Sequence, residues 1–151
     1  MSIAVTLHLL AVIVWVGGMF FAHVVLRVAI NKLLEPHDRL NLMLKVFDGF
    51  FPWVWVSVIV ILASGYWMLF TYYADNSALW LSAMSASGTV MAAIFVFIYA
   101  IPYHQFGSAL HTSDMPRAVA AITLIRKLIL TNLVLGMLTT AVAALGKYGL
   151  I

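Results

Sequence analysis

The sequence predicts an all-α fold: an integral membrane bundle of four transmembrane helices. Three observations predict it. Of 151 residues, 65% are hydrophobic and 9% charged, and the mean hydropathy is +1.09. Soluble domains run at about 45–50% apolar and about 25% charged, and a chain this short cannot bury so much apolar surface in one water-exposed globule. Four apolar stretches, roughly 3–26, 50–74, 78–103 and 128–146, match the ~20 residues that cross a bilayer. Lys and Arg gather between these stretches and are scarce within them. The length leaves room for one four-helix domain over residues 1–151 and no attached soluble module.

The first stretch opens without a basic segment or a small-residue cleavage site, so it reads as a retained span and not a signal peptide. Within it, His8, Val12, Trp15, Met19 and His23 fall in one stripe roughly 80° wide on a helix turning ~100° per residue. Ionisable groups inside a lipid-spanning helix are costly and face a protein interior or a site. Trp15 lies mid-span and is expected to pack inside the bundle. Between spans one and two, Pro36 is placed to start a short interfacial helix. Spans two and three are joined by Asp75-Asn76-Ser77, a tight turn that caps helix three. Ser113-Asp114-Met115-Pro116 reads as a cap with Pro at the first helical position, so helix four is expected to begin near Met115.

The loops on either side of this pattern hold Arg27, Lys32, Arg39, Lys45, Arg117, Arg126 and Lys127, whereas the loop between spans two and three holds no Lys or Arg. The positive-inside rule then puts both termini outside. Trp53, Trp55 and Tyr103 fit an inner aromatic belt, and Tyr66, Trp67, Tyr72, Tyr73 and Trp80 an outer one. The small residues of Ser82–Gly88, with Gly17, Gly18, Gly65 and Gly136, are expected to let helices approach closely. Pro52 and Pro102 are expected to kink helices two and three. Asn132 needs a partner inside the bundle.

The net charge of +3 is explained by these membrane-edge residues, which argues for a lipid bilayer as the surrounding phase and against nucleic acid. The chain has no Cys, which removes disulfides, thiolate-bound zinc and iron–sulfur clusters. No nucleophile–base arrangement, phosphate-cradling glycine loop or dinucleotide fingerprint is present. No carboxylate lies inside a span, so no carboxylate proton relay is expected. No catalytic residue is identified. A membrane-protein partner or a homo-oligomer fits the apolar faces.

Depth along each span, at about 1.5 Å per residue, sorts the polar groups into two layers. His8, Met68 and Met84 share an outer level, where imidazole and thioether together suit copper as Cu(I). The competing reading has Met as gap-filler and His8 bonded to Thr6, Thr139, Thr140 or a serine of helix three. His23, His104, Arg27 and Arg126 share an inner level. Two imidazoles there suit the axial positions of haem b, and arginines suit its propionates. The competing reading makes Arg126 a snorkelling anchor and His23–Arg27 a local i, i+4 pair. His37 and His111 read as solvated. His8 and His23 lie about 22 Å apart along one helix, so they serve different sites.

Leu7-His8-Leu9-Leu10-Ala11 followed by Trp15-Val16-Gly17-Gly18 resembles the opening helix of the copper-resistance protein D family. Arg126-Lys127-Leu128 with Asn132 and Gly136 is similar to that family's last helix. The resemblance implies a multi-pass protein of a bacterial inner membrane with a role in copper handling, and points to His8. Longer members have additional spans and fused domains. A more distant resemblance is to the HemJ-like membrane protoporphyrinogen oxidases, through the His of span one, Trp15, the Arg after that span and Tyr103-His104. It implies a haem-dependent oxidoreductase as the alternative function. The chain departs from that pattern in having His23-Val24-Val25-Leu26-Arg27 after span one and no lysine inside span three.

Overall fold

The structure, a computed structural model, describes residues 1–73 and 78–147. The turn expected at Asp75-Asn76-Ser77 lies outside the described residues. Among them are four helices long and apolar enough to cross a membrane: α1 (Ser2–Leu33), α2 (Pro36–Tyr72), α3 (Leu79–His111) and α4 (Met115–Lys147). The described residues include no strand. At 1.5 Å per residue these helices are about 48–56 Å long, well beyond the ~30 Å hydrocarbon layer. The excess lies mostly at the end where α1 meets α2 and α3 meets α4, called the basic end below.

This length corrects one expectation. Pro36 does not open a separate interfacial helix; it opens α2, a single helix of 37 residues. The reason is in the pattern. Proline in the first turn costs no hydrogen bond, and Leu40, Met43, Phe47 and Phe51 are buried at helical spacing, so one face stays on the core from the outset. Pro52 sits within the same uninterrupted helix. Pro102 lies in a π-helical turn, Tyr99–Tyr103, whose wider ring absorbs the missing donor. A second π turn, Phe21–Leu26, interrupts α1 just before Arg27.

Both basic-end junctions are short and tied. Leu34 and Glu35 are extended, as the residue before a proline prefers, and the Arg39 Nε–H donates to the Leu34 carbonyl at 2.9 Å. At the other junction Ser113 takes a left-handed φ of 58°. The Asp114 carboxylate then accepts the Arg117 N–H at 3.1 Å, an N-cap bond. Helix α4 begins at Met115, as expected, with proline second and not first.

The helices run up and down in chain order. The most extensive packing joins α1 to α2 and α3 to α4, and lighter contacts of α1 with α4 and α2 with α3 close the ring. Trp15 is buried and meets Phe95 edge-on, with centroids 6.3 Å apart. Phe51 stacks on Phe47 at 5.1 Å and meets the edge of Tyr103 at 4.9 Å.

Polar side chains join the helices at intervals. Asn132, 1% exposed, donates to the Met91 carbonyl at 3.0 Å. Thr139 and Ser87 hydroxyls lie 2.8 Å apart across α3 and α4, and Tyr66 and Thr89 hydroxyls 2.7 Å apart across α2 and α3. Tyr103 donates to Asp48 Oδ1 at 2.6 Å. The expected small-residue contacts divide. Gly18 lies under the Phe50 ring, and a Cβ on Gly136 would stand 2.9 Å from Val16 and 3.1 Å from Met91. Gly17 faces open space.

Gly136→Leu therefore forces α1, α3 and α4 apart. It is expected to lower stability in detergent by about 1–3 kcal/mol through overpacking. Gly17→Leu is expected to change it by less than about 0.5 kcal/mol. Reversible denaturation followed by circular dichroism measures both.

Candidate functional site: an imidazole–thioether cavity

A cavity of about 380 Å³ opens between the four helices in the half of the bundle away from the basic end. Its walls are largely apolar, as small-ligand sites in bundles are. His8, Met68 and Met84, on three different helices, all line it. So do Trp15 and Met91. Met91, which depth along the spans does not single out, is buried at 4% exposure.

The position of His8 follows from two neighbours on α2. Gly65 lies against the imidazole, and a Cβ there would stand 3.2 Å from His8 Cε1. Ser64 Oγ lies 2.9 Å from His8 Nδ1. The same Oγ is 2.5 Å from the Val60 carbonyl oxygen. A carbonyl oxygen only accepts, so the single serine proton lies on that bond. With the proton so assigned, Ser64 accepts from His8 Nδ1, the tautomer that leaves the lone pair on Nε2; the Ile61 carbonyl is a further acceptor beside the ring.

None of the partners expected for His8 is used. Thr6 bonds to the Ser2 carbonyl, Thr140 to the Gly136 carbonyl, and Thr139 faces Ser87. Ser64 was missed because a serine inside a span ordinarily bonds its own helix, which this one also does. The adjacent Ser64-Gly65 pair was the available signal: a hydroxyl beside a position without a side chain leaves room for a ring.

At the basic end the inner residues separate into two groups. His23 is half-buried and lies within electrostatic range of Arg27 and Arg126. His104 is exposed and packs its ring against Tyr99 and Tyr103, each at 5.4 Å. No hydrogen bond, ring contact or electrostatic interaction joins His23 to His104 among the described residues. His37 is exposed and faces Asp38 at 3.8 Å, and His111 is exposed. No group of three or more His, Asp or Glu side chains suited to a metal occurs among the described residues.

A family model described as copper resistance protein D matches residues 44–145, more than half of the chain. The chain belongs to the copper resistance protein D family. It is accordingly a multi-pass membrane protein related to copper resistance. The matched stretch contains Ser64, Gly65, Met68, Met84, Arg126, Asn132 and Gly136, whereas His8 and the Trp15–Gly18 motif precede it. No curated protein and no solved structure matches the chain.

The tautomer is directly measurable. Nitrogen-15 NMR of protein labelled at histidine is expected to show His8 protonated at Nδ1. In Ser64→Ala the Nδ1–H loses its side-chain acceptor, and the spectrum is expected to move towards a mixture of the two tautomers.

Proposed function

We propose that this chain handles copper as its cargo, with His8 Nε2 and the Met68 and Met84 sulfurs holding Cu(I) in the cavity between the helices. Imidazole and thioether are soft, neutral donors that favour Cu(I) over hard divalent ions. Neutral donors also suit a site in hydrocarbon, where a carboxylate would add an unpaired charge. The observation that carries the reading is the shared cavity: one imidazole and two thioethers line a single apolar space in a member of this family. The Ser64 hydroxyl orients the ring, the role a hydrogen-bonded neighbour plays for metal-bound histidine elsewhere.

By the positive-inside rule the termini lie outside, which puts the cavity in the outer half of the bilayer. The membrane we propose is a bacterial inner membrane. Haem b held by His23 and His104, with oxidoreductase activity, is the alternative. It requires two imidazoles to face one iron, and the exposed His104 with its ring on Tyr99 and Tyr103 favours the copper reading instead.

The test is Cu(I) binding to protein purified in mild detergent, by competition with a chromophoric Cu(I) chelator. One equivalent is expected. His8→Ala is expected to abolish binding, and Ser64→Ala to weaken it by about 10–100-fold. Met68→Leu and Met84→Leu are expected to weaken it by about tenfold each, one thioether bond being lost in each. Binding that survives His8→Ala would sink the proposal. A Soret band lost in His23→Ala or His104→Ala, with no copper bound, would establish the haem alternative.

A further inference from the structure

The basic end holds a second unexplained feature, independent of the copper reading. Arg27 of α1 and Arg39 of α2 both lie within electrostatic range of Arg126 of α4. Three like charges repel one another, so their gathering calls for an anion. Among the described residues no carboxylate lies within ion-pair distance of any of the three, the one such pair being His37 with Asp38. Glu35 and Asp38 of the same end form no ion pair with any of the three, and two further carboxylates are occupied. Asp48 accepts from Tyr103, and Asp114 caps α4.

The donors are also unevenly used. Arg39 spends its Nε–H on the Leu34 carbonyl. The Arg126 Nε–H is buried and has no acceptor. A buried donor left unpaired costs on the order of 1–3 kcal/mol, more when charged. The arrangement therefore lacks one acceptor with negative charge. Depth says which kind. Arg126 lies about 32 Å along α4 from Lys147, at 1.5 Å per residue, close to the ~30 Å thickness of the hydrocarbon core. With Lys147 at one boundary, Arg126 stands at the other, in the layer where lipid phosphates lie. The planar guanidinium fork of arginine matches phosphate oxygens in pairs.

We propose that Arg27, Arg39 and Arg126 form a phosphate-binding site at the basic end of the bundle, with Arg126 Nε as its innermost donor. An anionic phospholipid in the adjoining leaflet supplies such a group, and so does free phosphate. The shared chemistry is a phosphate oxyanion received by guanidinium groups from three helices.

Native mass spectrometry of the protein in a phosphate-free detergent separates the sources, with phosphatidylglycerol, phosphatidylcholine and inorganic phosphate added in turn. One phosphatidylglycerol per chain is expected, held in clear preference to phosphatidylcholine, whose cationic choline the arginines repel. Arg126→Gln and Arg27→Gln are each expected to weaken it by about tenfold, the loss of one charge-assisted hydrogen bond. Lys147→Gln, at the far end of α4, is expected to leave it unchanged. Arg126→Lys keeps the charge but not the fork, and is expected to fall between; it carries the test should Arg126→Gln fail to fold. Inorganic phosphate bound in an Arg126-dependent manner, without either lipid, also supports the site and makes free phosphate its source. Absence of all three, or lipid binding indifferent to both arginine substitutions, would overturn the proposal.

Discussion

Hydrocarbon supplies no hydrogen bonds, and the rest of this structure depends on that constraint. Backbone groups meet it by forming continuous helices. Several polar side chains meet it by finding partners inside the bundle, whereas Arg126 Nε and Asn132 Oδ1 are buried without one. Asn132 reaches the Met91 carbonyl, Tyr66 reaches Thr89, and His8 reaches Ser64. Each of these bonds crosses between helices. The polar residues that make the spans costly to insert are thus the ones that hold the helices in register.

The same constraint shapes the cavity. Around Phe47, Phe51, Phe95 and Phe106 the core is made of buried aromatic and aliphatic side chains. In the opposite half, Gly65 and Gly136 bring helices close at two points, while flexible methionines border the space between. Unbranched thioether chains tolerate irregular surroundings, so a cavity lined by them can admit a ligand without rearranging the helices. His8 is the exception to that flexibility. Its ring is held on one side by the open face of Gly65 and at Nδ1 by Ser64.

Much of the fold was legible in the sequence. Runs of apolar residues of membrane length state the number of helices, and the placement of Lys and Arg marks where they turn. Trp15 was correctly assigned to the interior because a tryptophan at mid-depth has no interface to reach. Asn132 was correctly read as needing a partner. Helix length was not legible at the basic end: hydropathy reports where lipid begins, and a helix continues beyond it for as long as one face remains packed. That is why α2 starts at Pro36. Some of the glycines were also misjudged. Gly17 and Gly18 are adjacent, yet successive residues point about 100° apart, so only Gly18 meets a neighbouring helix.

By itself the sequence determined the class of molecule, the four spans and the depth of each polar group, because these depend on transfer from water to lipid and on 1.5 Å of rise per residue. Only the tertiary structure decided which residues at one depth face one another. It brought His8, Met68 and Met84 to one cavity, gave His8 a partner on α2 that no spacing rule would select, and left His104 exposed while setting Arg27 and Arg39 within electrostatic range of Arg126. Facing is set by the rotation of each helix about its own axis. That rotation is fixed by packing against the other three helices, including the π turns at Phe21–Leu26 and Tyr99–Tyr103.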